Sequence, residues 1–444
     1  MMRIKKLTLS IMMITGLSVS VFSQDPRTES GADADADKEQ TDTEPGSKSK
    51  REKDGKMFSF ALDLKAYGGE LVNYESYKMS TPLIGAAAGV SVNADITENM
   101  FFNVLSKSEG RKTFSPFPGT KLNFDQFRQY LRGRYGVSGK YGELELDVGY
   151  LLSLRPSWPD LYQPNPLNFG GTADPKFGAY LPTDRNSYQR FTPEINYTFT
   201  MIKDLEILAG TGFVRNIENT DPAFDPNVPT HITPSSYSGF FVNAEVKYKG
   251  IKHIEIEFTN RFESANYDTA LARDALTGKT HYATTPNPKY KDTNNKSTLA
   301  VSLEFKKIKL EIKPFFAYDI NTDSFQGYYS YTGLEPGIEI RQKLGAFRYA
   351  LKISGDFQTF GPNSYDAAKT LDGKALFKNY LKGSLELTYR LNKHFELFAE
   401  GDMLMKTTNY PPYVPGVNPA KRNYDINFAF NNYSAHAGVS YKFR

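Results

Sequence analysis

The closing stretch of this chain constrains its fold more than any other. Apolar side chains fall at Ala435, Ala437, Val439, Tyr441 and Phe443, with Ser434, His436, Gly438, Ser440 and Lys442 between them. Side chains of a strand point alternately to its two faces, so this is a strand with one greasy and one wet face. The same alternation returns along most of the sequence, as at Leu144, Leu146, Val148 and Tyr150, and at Phe347, Tyr349, Leu351 and Ile353. A chain of this kind builds sheets, and both faces of each strand need a suitable environment.

Counting such segments predicts about sixteen strands, with 14–18 as the compatible range. The clearest cover 57–67, 85–96, 124–137, 143–153, 187–199, 205–215, 237–248 and 253–265. They continue at 297–306, 309–319, 331–342, 347–358, 379–390, 395–406 and 427–443, and 101–108 is the faintest. The connections alternate between short and long. Short ones lie near Thr97-Glu98-Asn99, Ser138-Gly139-Lys140, Ile202-Lys203-Asp204, Lys249-Gly250, Lys306-Lys307, Lys343-Leu344-Gly345 and Asn392-Lys393. Long polar stretches separate them near 68–84, 109–123, 154–186, 216–236, 266–296, 320–330, 359–378 and 407–426. A soluble sandwich gives no reason for that rhythm. With both termini on one side, the strand number must be even.

The first 56 residues are different. Arg3, Lys5 and Lys6 precede an apolar run from Leu7 to Phe22, and Val21-Phe22-Ser23 suits a cleavage site. Residues 1–23 therefore read as an export signal, too short for a spanning helix. Residues 24–56 are charged and carry little that is apolar, so they read as a disordered linker. No Cys occurs anywhere, which excludes disulfides, thiol nucleophiles and Cys-ligated metal. The net charge of +4 becomes +1 once the three signal bases leave (4 − 3), so bulk attraction to nucleic acid has no support. Mean hydropathy is low, but alternating lipid-facing and lumen-facing residues cancel in any such average.

The terminal strand ending on Tyr441 and Phe443 resembles the closing strand of bacterial outer-membrane β-barrels, and the short/long alternation resembles their periplasmic turns and extracellular loops. From residue 57 to 444 the chain resembles the general porin-like superfamily in architecture. The resemblance implies an all-β, antiparallel up-and-down transmembrane barrel in the outer membrane. It also implies contact with outer-membrane lipid, passage of small hydrophilic solutes, a homotrimer, and no need of a cofactor. Tyr67, Tyr150, Tyr248, Tyr318, Tyr389, Tyr441 and Phe443 stand near strand ends as expected of an aromatic girdle. Pro193, Pro314 and Pro336 share the outward phase and predict local loss of ladder bonds.

The other phase is crowded with charge. Arg128, Arg132 and Arg134 share one face of a strand, and Glu143, Glu145 and Asp147 share the corresponding face of the next. Cross-strand neighbours lie about 5 Å apart, so the two rows are expected to pair. Similar inward charges are Arg190 and Glu194; Lys309, Glu311 and Lys313; Arg348 and Lys352; and Glu396 and Glu400. A midplane Arg or Lys facing lipid costs roughly 2–4 kcal/mol, so these rows belong on a watery lumen. Tyr130, Phe241, Phe315 and Phe398 interrupt the polar phase as bulge markers, plug contacts or a solute track.

The loop 154–186 follows the fifth strand, where general porins fold a loop inward. Trp158, Asp160, Asp174, Lys176 and Asp184 are its candidate constriction residues, and Pro175-Lys176-Phe177-Gly178 faintly echoes the family's Pro-Glu-Phe-Gly with Lys in place of the acid. Catalytic signatures are missing: no HExxH, GxSxG or P-loop occurs, and five His are scattered. The expectation is a non-enzymatic diffusion channel. Its rivals are a surface barrel whose long loops act as adhesin or receptor, and a rim-sited enzyme built around His281.

Overall fold

The computed structural model describes residues 58–74, 78–114, 125–154, 187–218, 236–272, 281–282, 285–361, 375–409 and 430–443. The strands are β1 (Phe58–Tyr74), β2 (Lys78–Thr97), β3 (Met100–Thr113), β4 (Asp125–Ser138), β5 (Gly142–Leu154) and β6 (Tyr188–Phe199). Next come β7 (Leu205–Glu218), β8 (Tyr237–Ile251) and β9 (Ile254–Leu271), then a small hairpin of β10 (His281–Tyr282) and β11 (Thr285–Pro286). The last are β12 (Lys289–Phe305), β13 (Leu310–Asp323), β14 (Tyr331–Leu344), β15 (Phe347–Phe360), β16 (Phe377–Arg390), β17 (Phe395–Thr408) and β18 (Phe430–Phe443).

All except β10 and β11 form one closed antiparallel barrel of 16 strands, each paired with its neighbours in the chain. Closure comes from β1 and β18, which pair from Leu62↔Phe443 to Asn73↔Asn432. The alternating strand at the C-terminus is thus the one that removes the last sheet edge. With no free edge, ladder pairing runs round the whole ring, the condition for crossing hydrocarbon.

Strands run further than alternation suggested. The stretch 68–84, expected to be a long loop, is mostly ladder: Gly68↔Ile84 to Tyr74↔Lys78 continue the β1–β2 pairing. Likewise β9 reaches Leu271 and β12 begins at Lys289, so much of 266–296 is strand. These segments are polar because they rise above the apolar belt while still paired. The faint 101–108 segment is fully formed as part of β3. Lys309, expected on the inner phase, lies instead in the β12–β13 turn with φ of 49°. Its side chain is set by the turn and not by strand alternation.

The outer face is apolar, with Leu144, Leu146 and Val148 exposed on β5. Ile195, Val242, Phe316, Ile353, Leu385 and Val439 extend that surface round the wall. Tyr248, Tyr318, Tyr389 and Phe443 are exposed near strand ends, as a girdle requires. Tyr67 is not part of it. It belongs to the inner phase of β1, 9 % exposed, and its hydroxyl donates to Glu109 at 2.5 Å. Phe58 and Phe60 on the outer phase already fix the parity that excludes it.

The three outward prolines each coincide with a gap in one ladder. Pairing of β6 with β7 skips from Glu194↔Gly212 to Phe191↔Arg215, around Pro193. That of β12 with β13 skips from Leu303↔Ile312 to Ala300↔Phe315, around Pro314, and that of β14 with β15 skips from Gly337↔Ser354 to Leu334↔Phe357, around Pro336. Proline has no N–H to give to the ladder.

The inward aromatics find their role here. Phe241 lies over Gly212, Phe315 over Gly337 and Tyr67 over Gly85, each pair directly opposite on adjacent strands. A bare glycine gives the ring a place to lie against the wall, so these rings cover neighbouring backbone.

Candidate functional site

The inner wall of the barrel is the candidate site. Strands two apart converge on the concave side, and long charged side chains meet there across the strand between them. Lys296 on β12 and Lys382 on β16 both reach Glu335 on β14, at 3.0 and 3.5 Å. Lys382 also contacts Asp356 at 3.2 Å. Glu396 on β17 is held by Lys442 at 2.7 Å, Arg348 at 2.8 Å and Arg390 at 3.6 Å. Glu257 on β9 is met by Lys313 at 2.7 Å and Lys247 at 3.9 Å.

The predicted Arg and carboxylate rows of β4 and β5 come together. Arg134 lies directly opposite Asp147 in the ladder. Asp147 accepts from Arg132, through Nε at 2.7 Å and also through Nη2, and from Arg134 Nε at 3.1 Å. Arg134 also lies 3.4 Å from Glu145. Glu143 is drawn off to the turn, where Ser138 donates to it at 2.6 Å. Arg128 shares the inner face but lies higher, opposite Ser153 on one side and Glu109 on the other.

The remaining expected residues are distributed round the wall. Glu194 accepts from the Asn243 amide at 2.8 Å. Arg190 lies over the Tyr188 ring at 5.6 Å, and Lys352 over Phe315 at 5.9 Å. Glu400 joins two basic partners, Lys65 at 3.0 Å and His436 Nε2 at 3.1 Å. His436 stacks beside Tyr67 at a centroid distance of 4.7 Å, and Lys65 sits over Phe398 at 4.9 Å. The expected rows are therefore parts of several local networks. Trp158, Asp160, Asp174, Lys176 and Asp184 lie outside the described residues. So does the side chain of His281.

Alternation alone missed Lys65, Tyr67, Lys296 and Glu335. The parity of β1 already signals the first two. Lys296 and Glu335 fall outside or beside the most regular runs, Lys296 at the edge of the predicted strand and Glu335 next to Pro336. Among the described residues, no group of three or more His, Cys, Asp or Glu is placed to hold a metal.

Carboxylates held by two or three basic side chains, most of them from different strands, make a rigid, mixed-sign surface. Stripped of water these charges carry a heavy desolvation cost, so they fit a hydrated interior. The strand diametrically opposite β4 in the barrel order is β14. The Arg row of β4 thus faces the wall that carries Glu335 and Glu339.

No protein-family model and no curated protein matches the sequence. Solved structures give distant matches. The outer-membrane expressed OmpT of Vibrio cholerae is 12% identical, covering 87% of this chain and 97% of that one with a TM-score of 0.44. An anion-selective porin from Comamonas acidovorans is 11% identical, covering 87% and 100% with a TM-score of 0.43. OccAB1 of Acinetobacter baumannii is 8% identical, covering 87% and 97% with a TM-score of 0.42. At that distance neither solute preference nor assembly transfers. Closure, antiparallel order and the apolar outer face are themselves the architecture of an outer-membrane β-barrel.

Proposed function

We propose that this chain is an outer-membrane channel for passive diffusion of small hydrophilic solutes or ions. The observation that carries the proposal is the inner wall. Inside a closed 16-strand barrel, Asp147, Glu257, Glu335, Glu396 and Glu400 are each held by two or more basic side chains. Such a surface is stable in water and offers a polar path through an otherwise apolar layer.

In this proposal Arg128, Arg132, Arg134, Glu143, Glu145, Asp147, Arg190, Glu194, Arg348, Lys352 and Glu400 line the path. Solutes move in water along these walls, and the narrowest width sets the size limit. Because neighbouring charges neutralise one another, the path orients dipolar solutes more than it selects ions by sign. Residues 1–23 direct export and 24–56 remain as a periplasmic linker. No chemical step and no bound cofactor enters this mechanism.

Planar-bilayer recording on the purified, refolded protein tests it. Stepwise, long-lived conductance increments that scale with bulk salt are expected. A folded, heat-modifiable barrel that inserts but carries no steady current would refute the channel and favour a binding role for the extracellular loops.

A further inference from the structure

We propose that two copies of this chain pair side by side in the membrane through the outer faces of β9 and β12. The proposal rests on a polar cluster in the apolar belt. Phe258 and Leu299 are exposed on the outside, so parity places Asn260 of β9 and Asn295 and Ser297 of β12 outside too. Asn260 Nδ2 donates to Asn295 Oδ1 at 2.9 Å and to Ser297 Oγ at 2.8 Å.

This cluster is not at the edge of the belt. The outer face turns polar along the row Arg215, Ser238, Asn266 and Lys291, where Arg215 pairs with Asp268 at 2.6 Å. Asn260 lies six residues below Asn266 on β9 and six above Ile254 at the opposite turn. Other outward carboxamides, Gln129, Gln189, Gln342 and Asn379, fall within five residues of a strand end.

Both Nδ2 hydrogens of Asn260 are used within the cluster. Asn260 Oδ1, Asn295 Nδ2 and the Ser297 hydroxyl hydrogen have no protein partner among the described residues. Hydrocarbon offers them none. One acceptor and several donors remain, all neutral, on two adjacent strands. A two-fold axis along the membrane normal, passing between β9 and β12, sets Asn295 of one copy against Asn260 of the other, and the reverse. Such a patch is complementary to itself, as an isologous contact requires. A three-fold ring would instead need two different faces. In the same ladder row Ala209 and Ala244 are exposed on one flank of the axis and Tyr318 on the other, so the two-fold sets the small side chains of one copy against the ring of its partner.

The chain has no Cys, so one introduced thiol reports unambiguously. Ser297→Cys in native outer membranes, bridged by a short bis-maleimide, should give a dimer band. Val439→Cys, exposed on the opposite side of the barrel, should give none. The triple variant N260L/N295L/S297L should stay heat-modifiable while the native mass falls from two chains to one. If Ser297→Cys perturbs folding, Ala244→Cys serves as the reporter. A maleimide-reactive Ser297→Cys that stays monomeric overturns the proposal. So does a native mass of one chain with retained lipopolysaccharide, or a three-chain mass without the Ser297 cross-link.

Discussion

At the scale of single residues, parity in a strand decides everything about a substitution. Leu146 is exposed to lipid, whereas Glu145 beside it faces Arg134 on the inner wall. Leu146→Arg should reduce the folded fraction, with a cost of about 2–4 kcal/mol for a cation near the midplane. Glu145→Arg should leave assembly intact and alter conductance. Heat-modifiable migration and bilayer recording on both variants check this, and equal behaviour would show the phase to be wrong. Glycines give a second contrast. A Cβ at Gly438 would run into the Ala66 carbonyl oxygen and lie 2.8 Å from Tyr67 Cα, across the closing seam. At Gly133 it would meet nothing within 4 Å. Gly438→Ala should therefore lower stability by about 1–3 kcal/mol, and Gly133→Ala should be near neutral in the same urea titration.

At the scale of elements, the charge networks tie together strands that the backbone ladder does not join. Glu396 connects β17 to β15, which no ladder joins to it, and also to its ladder neighbours β16 and β18, near the end of the barrel where the short turns lie. Its side chain is buried, while its three partners remain partly open to the lumen. Glu396→Ala leaves three cations facing one another and removes charge-assisted bonds. We expect a loss of about 1–3 kcal/mol, with earlier proteolysis at the β16–β17 turn and a pore shifted towards anions. Glu396→Gln should recover part of the stability and keep the shift in selectivity. Limited proteolysis with reversal potentials separates the two effects. If the stability of Glu396→Ala matched the parent chain, the networks would be ornaments on a barrel held by its ladder alone.

At the scale of the whole molecule, the closed sheet sets charged rows against each other across the lumen. Arg128, Arg132 and Arg134 on β4 lie opposite β14, and Asp147 on β5 neutralises part of that row. The parent pore should discriminate weakly between small cations and anions. Changing the three Arg to Gln removes three positive charges and should move the reversal potential clearly towards cation preference. The shift should be largest near 0.01 M salt, where the Debye length of about 30 Å spans the channel. An unchanged reversal potential in a folded triple variant would place this row away from the permeation path.

Strand number, barrel class and the division into wet and greasy faces were legible in the sequence, because side-chain parity has a fixed period of two and lipid and water enforce it on every strand. On β5 Leu146 is exposed on the apolar face and Glu145 beside it meets Arg134 on the other, as alternation implies. Strand ends were less legible, since ladder pairing continues above the belt where no lipid demands apolar residues, as in 68–84. Tyr67 was misassigned because an aromatic near a strand end suits a girdle, although the parity set by Phe58 and Phe60 already turns it inward, where it lies over Gly85. The partners of Glu335, Glu396 and Glu400 depended wholly on tertiary structure. Arg348, Lys65, Lys296 and Lys382 reach them from strands two apart, brought within reach by the curvature of a closed sheet, and no local spacing in the chain encodes that distance.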